Sequence, residues 1–126
     1  MNIAIVGLGL IGGSIAKAIK YNTDNTVYGY DIDRGVLLKA KLLGAVDEEL
    51  TSDILPTCDM VILGLYPNDT LEFVRTHADK IKKRCHCYGF LRRKARCLRA
   101  ALEGSIRKRL YVYRSAPNGR TSLLGL

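Results

Sequence analysis

Apolar residues along the chain fall into short runs and stripes of two different periods. Ile3-Ala4-Ile5-Val6 is an unbroken run of strand length, after which Ile11, Ile15, Ala18 and Ile19 recur at helical spacing. The polar residues 21–25 form a turn that returns the chain to a second strand, Thr26–Tyr30. Over residues 34–43, Val36, Leu37, Ala40 and Leu43 share one helix face, and Gly44 stands where a C-cap belongs. Ala45 and Val46 read as a short third strand, and Asp47-Glu48-Glu49-Leu50 as a solvated acidic turn. The run Met60-Val61-Ile62-Leu63-Gly64-Leu65 predicts a fourth strand buried on both faces, as parallel strands are. A third helical stripe follows in Leu71, Val74, Ala78 and Ile81, with Asn68 or Asp69 near its N-cap and Lys80, Lys82 and Lys83 in its last turn.

Between the first strand and the first helix lies Gly7-Leu8-Gly9-Leu10-Ile11-Gly12-Gly13-Ser14. In this setting the glycines have separate tasks: Gly7 for a tight turn, Gly9 for close approach of the backbone to a pyrophosphate, and Gly12 for close packing of helix on strand. Gly7, Leu8, Gly9, Leu10, Ile11 and Gly12 are therefore candidates to bind a dinucleotide, its phosphates resting on the positive end of the helix. A plain glycine-rich turn is the alternative. The second strand ends in Asp31, nineteen residues beyond Gly12, where a carboxylate accepts hydrogen bonds from the adenosine ribose hydroxyls. Leu65, Tyr66 and Pro67 follow the fourth strand at the ligand-binding edge of such a sheet and are candidates for the nicotinamide side, although Tyr66 fits a packing role equally. Strands joined through helices run parallel with right-handed crossovers, so the expected fold is α/β, a partial Rossmann-type doubly wound parallel sheet in the order 3-2-1-4.

Length and charge change this picture at one point. A chain of 126 residues suits one modest domain and is short for a cofactor domain plus a substrate domain. No apolar run reaches the ~20 residues of a membrane span and no basic leader precedes the first strand, so the expected location is cytoplasmic. The net charge of +8 divides unevenly: residues 1–83 carry 9 Lys and Arg against 11 Asp and Glu, whereas residues 84–126 carry 11 against 1. Cys58, Cys85, Cys87 and Cys97 lack the paired spacing of a zinc site, and Cys85-His86-Cys87 are too close together to supply a tetrahedral site alone, so no metal is expected.

The run from Met1 through the Gly7-Leu8-Gly9-Leu10-Ile11-Gly12-Gly13-Ser14 turn to Ala16, the strand Val27-Tyr28-Gly29-Tyr30-Asp31 and the strand Asp59-Met60-Val61-Ile62-Leu63 together resemble the cofactor domain of prephenate dehydrogenases over residues 1–83. Members of that family oxidise prephenate, or arogenate, with NAD or NADP on the way to tyrosine; hydride leaves the ring carbon bearing the hydroxyl, and loss of carbon dioxide gives 4-hydroxyphenylpyruvate from prephenate. The resemblance implies that Gly7, Gly9 and Gly12 hold the pyrophosphate and Asp31 the ribose, with NAD favoured over NADP because a carboxylate repels a 2′-phosphate.

After residue 83 the resemblance breaks. Family members continue with a fifth apolar strand, a Gly-Val-Lys segment and a G-x-H-P-M-A-G stretch whose histidine polarises the substrate hydroxyl; neither His77 nor His86 matches it, and no catalytic residue is assigned. Residues 84–92 can be encoded so that dropping one nucleotide reads Gly-Ala-Ile-Val-Met-Asp-Phe-Cys-Gly, and residues 110–120 then read Phe-Thr-Phe-Ile-Gly-Ala-His-Pro-Met-Ala-Gly. The expectation is an incomplete NAD(P)-binding domain at 1–83 and an out-of-frame basic tail at 84–126, irregular or helical. The fourth strand would be left as an exposed edge, the substrate and dimerisation domain would be absent, and the chain would not turn over prephenate. The alternative is a genuine basic module: Leu91, Ala95, Leu98, Ala101 or Leu102, and Ile106 near helical spacing, flanked by Arg92, Arg93, Arg96, Arg99, Arg107 and Arg109, with Tyr111 and Tyr113 to stack on bases, for nucleic acid or an anionic membrane. No recognisable nucleic-acid module accompanies it.

Overall fold

The computed structural model describes residues 1–82, 84–90, 110–115 and 121–125. Its elements are β1 (Asn2–Val6), α1 (Leu10–Asn22), β2 (Thr26–Tyr30), α2 (Arg34–Leu42), β3 (Glu48–Glu49), a 3-10 turn (Leu55–Thr57), β4 (Met60–Leu63), α3 (Pro67–His77), β5 (His86–Phe90), β6 (Leu110–Ser115) and β7 (Thr121–Gly125). One sheet holds all the described strands in the order β3-β2-β1-β4-β5-β6-β7. Pairing is parallel from β3 through β6, and β7 returns antiparallel to β6. The chain thus has a Rossmann-like α/β fold with the parallel order 3-2-1-4-5 at its heart.

Alternation along the central strands builds a core on each face of the sheet. Ile3 and Ile5 of β1 join Ile62 of β4 in a cluster with Ala16 of α1 and Leu37 and Ala40 of α2. Ala4, Val6, Val61 and Leu63 point the other way, to Leu55, Cys58 and Val74 of α3. Helices therefore cover both faces, which is why β1 and β4 read as continuous apolar runs. Asp33 caps α2, its Oδ1 accepting from Gly35 N at 2.8 Å, and Gly44 leaves the helix with φ +68°.

The third strand lies three residues later than the apolar pair suggests. Ala45 and Val46 are buried in the core beside Gly29, but the ladder is made by Glu48 opposite Tyr28 and Glu49 opposite Gly29. The acidic stretch is not a free turn: Asp47 pairs with Lys20 at 2.9 Å, Glu49 with Arg34 at 2.6 Å and Glu48 with Lys41 at 3.6 Å. These cations, from the end of α1 and from α2, let two adjacent glutamates sit in an edge strand. Further on, α3 begins with Pro67 at its first position and Tyr66 as N-cap, so neither Asn68 nor Asp69 caps it.

β4 is not an edge. His86–Phe90 pairs with it in parallel register, Met60 opposite His86 and Leu63 opposite Gly89. Cys85 and Cys87 enter the core beside Cys58, and Tyr88 packs against the opposite core. Cysteine buries as readily as a small aliphatic residue, and the unpaired backbone of β4 accepts any strand that can present such a face. The segment after residue 83 is also neither irregular nor helical at Leu110–Ser115 and Thr121–Gly125, which extend the sheet. The arginine-rich stripe from Leu91 to Arg109 lies outside the described residues.

Candidate functional site

The glycine turn is held by backbone bonds to both neighbouring strand ends. Gly7 N donates to Tyr30 O at 2.8 Å, and Gly64 N, just past β4, donates to Val6 O at 2.8 Å. Gly7 has φ +88°, and a Cβ there would lie 2.8 Å from Gly64 O. A Cβ on Gly12 would lie 1.8 Å from Gly7 O, so α1 can approach its own turn only as glycine. Gly64 completes the contact, since its Cβ would meet Gly7 O at 2.9 Å and Gly12 Cα at 3.3 Å. In the sequence Gly64 shows only as a glycine near the end of an apolar strand run, a mark of close backbone approach.

Gly9 differs from these three. It is exposed, has ordinary negative φ, and a Cβ on it would meet nothing within 4 Å. As N-cap of α1 it offers no side-chain acceptor, and the first turn of that helix has no acidic residue. The donors that open α1 thus face an open space rather than a capping side chain, and a phosphate group fits there. Leu10 and Ile11 are exposed beside it, at 93% and 54%. Leu8 is buried in the core, and its N–H is already committed, donating to Asp31 Oδ2 at 2.8 Å.

Asp31 occupies the carboxyl end of the sheet just past β2. Its Oδ1 accepts from Asp33 N at 2.9 Å, so both carboxylate oxygens are held by backbone donors, and the residue lines a cleft. That cleft, about 570 Å³, runs between the end of β2 and α3 and brings Asp31 together with Leu65, Leu50, Phe73 and His77. Tyr66 is 81% exposed and Pro67 half-buried; neither lines the cleft. Asp69 and Glu72 of α3 add two carboxylates to its wall, and no Lys or Arg lines it among the described residues.

His77 is half-buried at the cleft. Its Nδ1 lies 3.0 Å from Phe73 O, and its ring stacks on that of Phe73 with centroids 4.3 Å apart. The i, i+4 spacing of Phe73 and His77 carried this pairing in the sequence. His86 opens β5 opposite Met60, at the amino edge of the sheet and so at the far end from the glycine turn. Among the described residues no three His, Cys, Asp or Glu side chains converge as metal ligands. Likewise, no helix among them is long and apolar enough to cross a membrane.

Similarity to known proteins points the same way as this geometry. A prephenate dehydrogenase from A. aeolicus, solved in complex with hydroxyphenyl propionate and NAD+, is 25% identical and superposes with a TM-score of 0.81 over 98% of this chain and 44% of that one. A second structure of prephenate dehydrogenase from Aquifex aeolicus is 24% identical, with a TM-score of 0.76 over 95% of this chain and 45% of the other. Synechocystis arogenate dehydrogenase is similar in fold, at 20% identity and a TM-score of 0.77 over 91% and 41% of the two chains. The chain spans less than half the length of each. Residues 15–108 match the family model described as the prephenate dehydrogenase nucleotide-binding domain. A match across that much of the chain means that the chain belongs to the prephenate dehydrogenase nucleotide-binding domain family.

Proposed function

We propose that this chain binds NAD and is the cofactor half of a dehydrogenase acting on prephenate or arogenate. The observation that carries the reading is the division among the glycines. Gly7, Gly12 and Gly64 leave no room for a Cβ, whereas Gly9 fronts open space beside the uncapped start of α1. The turn is thereby brought close to the sheet while one face of its backbone stays free for a pyrophosphate. Asp31, fixed by Leu8 N and Asp33 N, accepts the ribose hydroxyls, and its charge favours NAD over NADP. Leu65, the exposed Tyr66 and the half-buried Pro67 border the nicotinamide end. NAD, when bound, accepts the hydride; this chain's part is to hold and orient it.

The family's histidine motif has no counterpart in the sequence, so the chain alone binds cofactor without oxidising prephenate. We propose further that residues 1–83 are the in-frame part and residues 84–126 the out-of-frame part, although the family match runs on to residue 108.

Calorimetric titration of the intact chain with NAD, and separately with an RNA oligomer, tests it. Saturable NAD binding with no turnover of prephenate is the expected result. Salt-sensitive RNA binding without NAD binding would transfer the function to the basic segment.

A further inference from the structure

The side chains that follow β2 decide what charge a nucleotide meets at its adenosine ribose. Asp31 lines the cleft and holds Leu8 N. Ile32, 91% exposed on the cleft wall, carries no charge. Asp33 turns back on its own chain, its Oδ1 taking the N–H groups of Gly35 and Val36. Arg34 is the cation nearest to Asp31 in sequence, and its Nη1 lies 2.6 Å from Glu49 Oε1. Glu49 is fixed in β3 opposite Gly29, two residues before Asp31, so the pair draws the guanidinium toward the β3 edge of the sheet.

A nucleotide with a 2′-phosphate needs a cation where a 2′-hydroxyl needs an acceptor, and a nearby arginine is the side chain that best supplies it. We propose that Glu49 is a positioning residue that withholds Arg34 from the ribose and so sets the chain against nucleotides bearing a 2′-phosphate. This rests on the dinucleotide reading of the cleft. Glu49 acts by engaging Arg34, the cation nearest to Asp31 in sequence. The two side chains are 66% and 36% exposed, so the effect has the modest size of a surface ion pair.

The test is calorimetric titration of the full chain with NAD and with NADP at low ionic strength, where surface pairs act most strongly. Glu49→Gln is expected to raise the affinity for NADP relative to NAD by about three- to fivefold. Adding Arg34→Ala to it should return the ratio to its starting value, whereas a merely structural role for Glu49 would weaken both ligands alike and leave the second substitution without effect. Glu49→Thr removes the charge with better strand propensity and should act as Glu49→Gln does if the latter folds poorly. An unchanged ratio in both charge-removing variants that still bind NAD overturns this inference alone. So does selective loss of NADP binding in Arg34→Ala by itself, because Arg34 would then already serve the phosphate. Failure of the unaltered chain to bind either nucleotide overturns the dinucleotide reading and this inference with it.

Discussion

Leu8 N donates to Asp31 Oδ2 at 2.8 Å, joining the glycine turn to the end of β2 across 23 residues of sequence. The carboxylate expected to receive the ribose is therefore also a structural clamp on the phosphate turn. Asp31→Ala should lower stability by about 1–2 kcal/mol, because Leu8 N loses its partner, and should weaken NAD binding as well. Urea denaturation and calorimetry on the same variant separate the two effects. Unchanged NAD affinity would remove Asp31 from the site.

Gly9 and Gly12 should behave as opposites. Gly12→Ala forces a Cβ to within 1.8 Å of Gly7 O, a backbone atom that no rotamer change can move aside, so α1 must lift from the turn. The cost should reach about 3 kcal/mol, the upper range for overpacking. Gly9→Ala meets nothing within 4 Å and should leave stability within about 0.5 kcal/mol of the starting protein. Its methyl group would instead obstruct the face offered to the pyrophosphate, and loss of one backbone bond to phosphate is worth about tenfold in affinity. Equal effects of both substitutions on stability would contradict the glycine division.

The first half of the fold was legible because each level of the sequence agreed there. The apolar run 3–6, the glycines and the helical stripe from Ile11 to Ile19 allow one arrangement of strand, turn and helix, and Gly44 marks the end of α2 by its positive φ. β3 was misplaced because its pairing residues are Glu48 and Glu49, whose fitness for a strand depends on Arg34 and Lys41, cations distant in sequence. β5 is less legible for a related reason: His-Cys-Tyr-Gly-Phe lacks the continuous apolar run of β1 and β4, and the demand for a partner comes from the open edge of β4. The spacing alone placed the glycine turn and Asp31 at neighbouring strand ends, where Leu8 N meets the Asp31 carboxylate. Gly64 and the Phe73–His77 wall required the fold to bring them near.

Acid should unfold the protein partly through Asp47 and Asp59. Burial pushes the Asp47 carboxyl up, but the hydrogen bond from Val27 N and the Lys20 ammonium outweigh it, leaving its pKa below the ordinary 3.8. Lys82, and then Asn2 N, do the same for Asp59. Folded values below unfolded ones mean that the unfolded chain takes up protons first as pH falls. Their stabilising contribution is then complete above about pH 4 and is lost as pH drops through the folded values. Asp47→Asn and Asp59→Asn should each flatten the decline of the urea midpoint between pH 4 and pH 2. An unaltered decline would mean that these bonds do not persist in solution.

Thiol labelling should report on the fifth strand. Cys58, Cys85 and Cys87 are buried, and burial pushes the Cys58 thiol up to about 11, with Cys85 and Asp59 adding to the effect. Cys85 is raised as well, by its hydrogen bond with Cys87 and by burial. Native protein at pH 8 should label at Cys58 and Cys85 about a hundredfold more slowly than protein in urea, mapped by peptide mass spectrometry. Fast labelling at Cys85 with slow labelling at Cys58 would mean that β5 does not stay docked on β4.

The frame of the coding DNA is the remaining question that chemistry can answer directly. Residues 84–126 carry 11 Lys and Arg against 1 acidic residue, a composition at odds with the preceding 83, which carry 9 against 11. The switch coincides with the point where a one-nucleotide shift can restore both an apolar strand and a histidine motif, in the family's order. An out-of-frame segment can still build β5, because parallel pairing is made by backbone groups and asks of the side chains only a face that can be buried, which Cys85 and Cys87 provide. Strand formation at 86–90 therefore does not argue for the frame. Sequencing across the codons for residues 82–85 should open, on a shift of one nucleotide, a long frame containing His-Pro-Met-Ala-Gly. If no such frame exists, the basic segment is native to the protein, and the RNA arm of the titration becomes the measurement that matters.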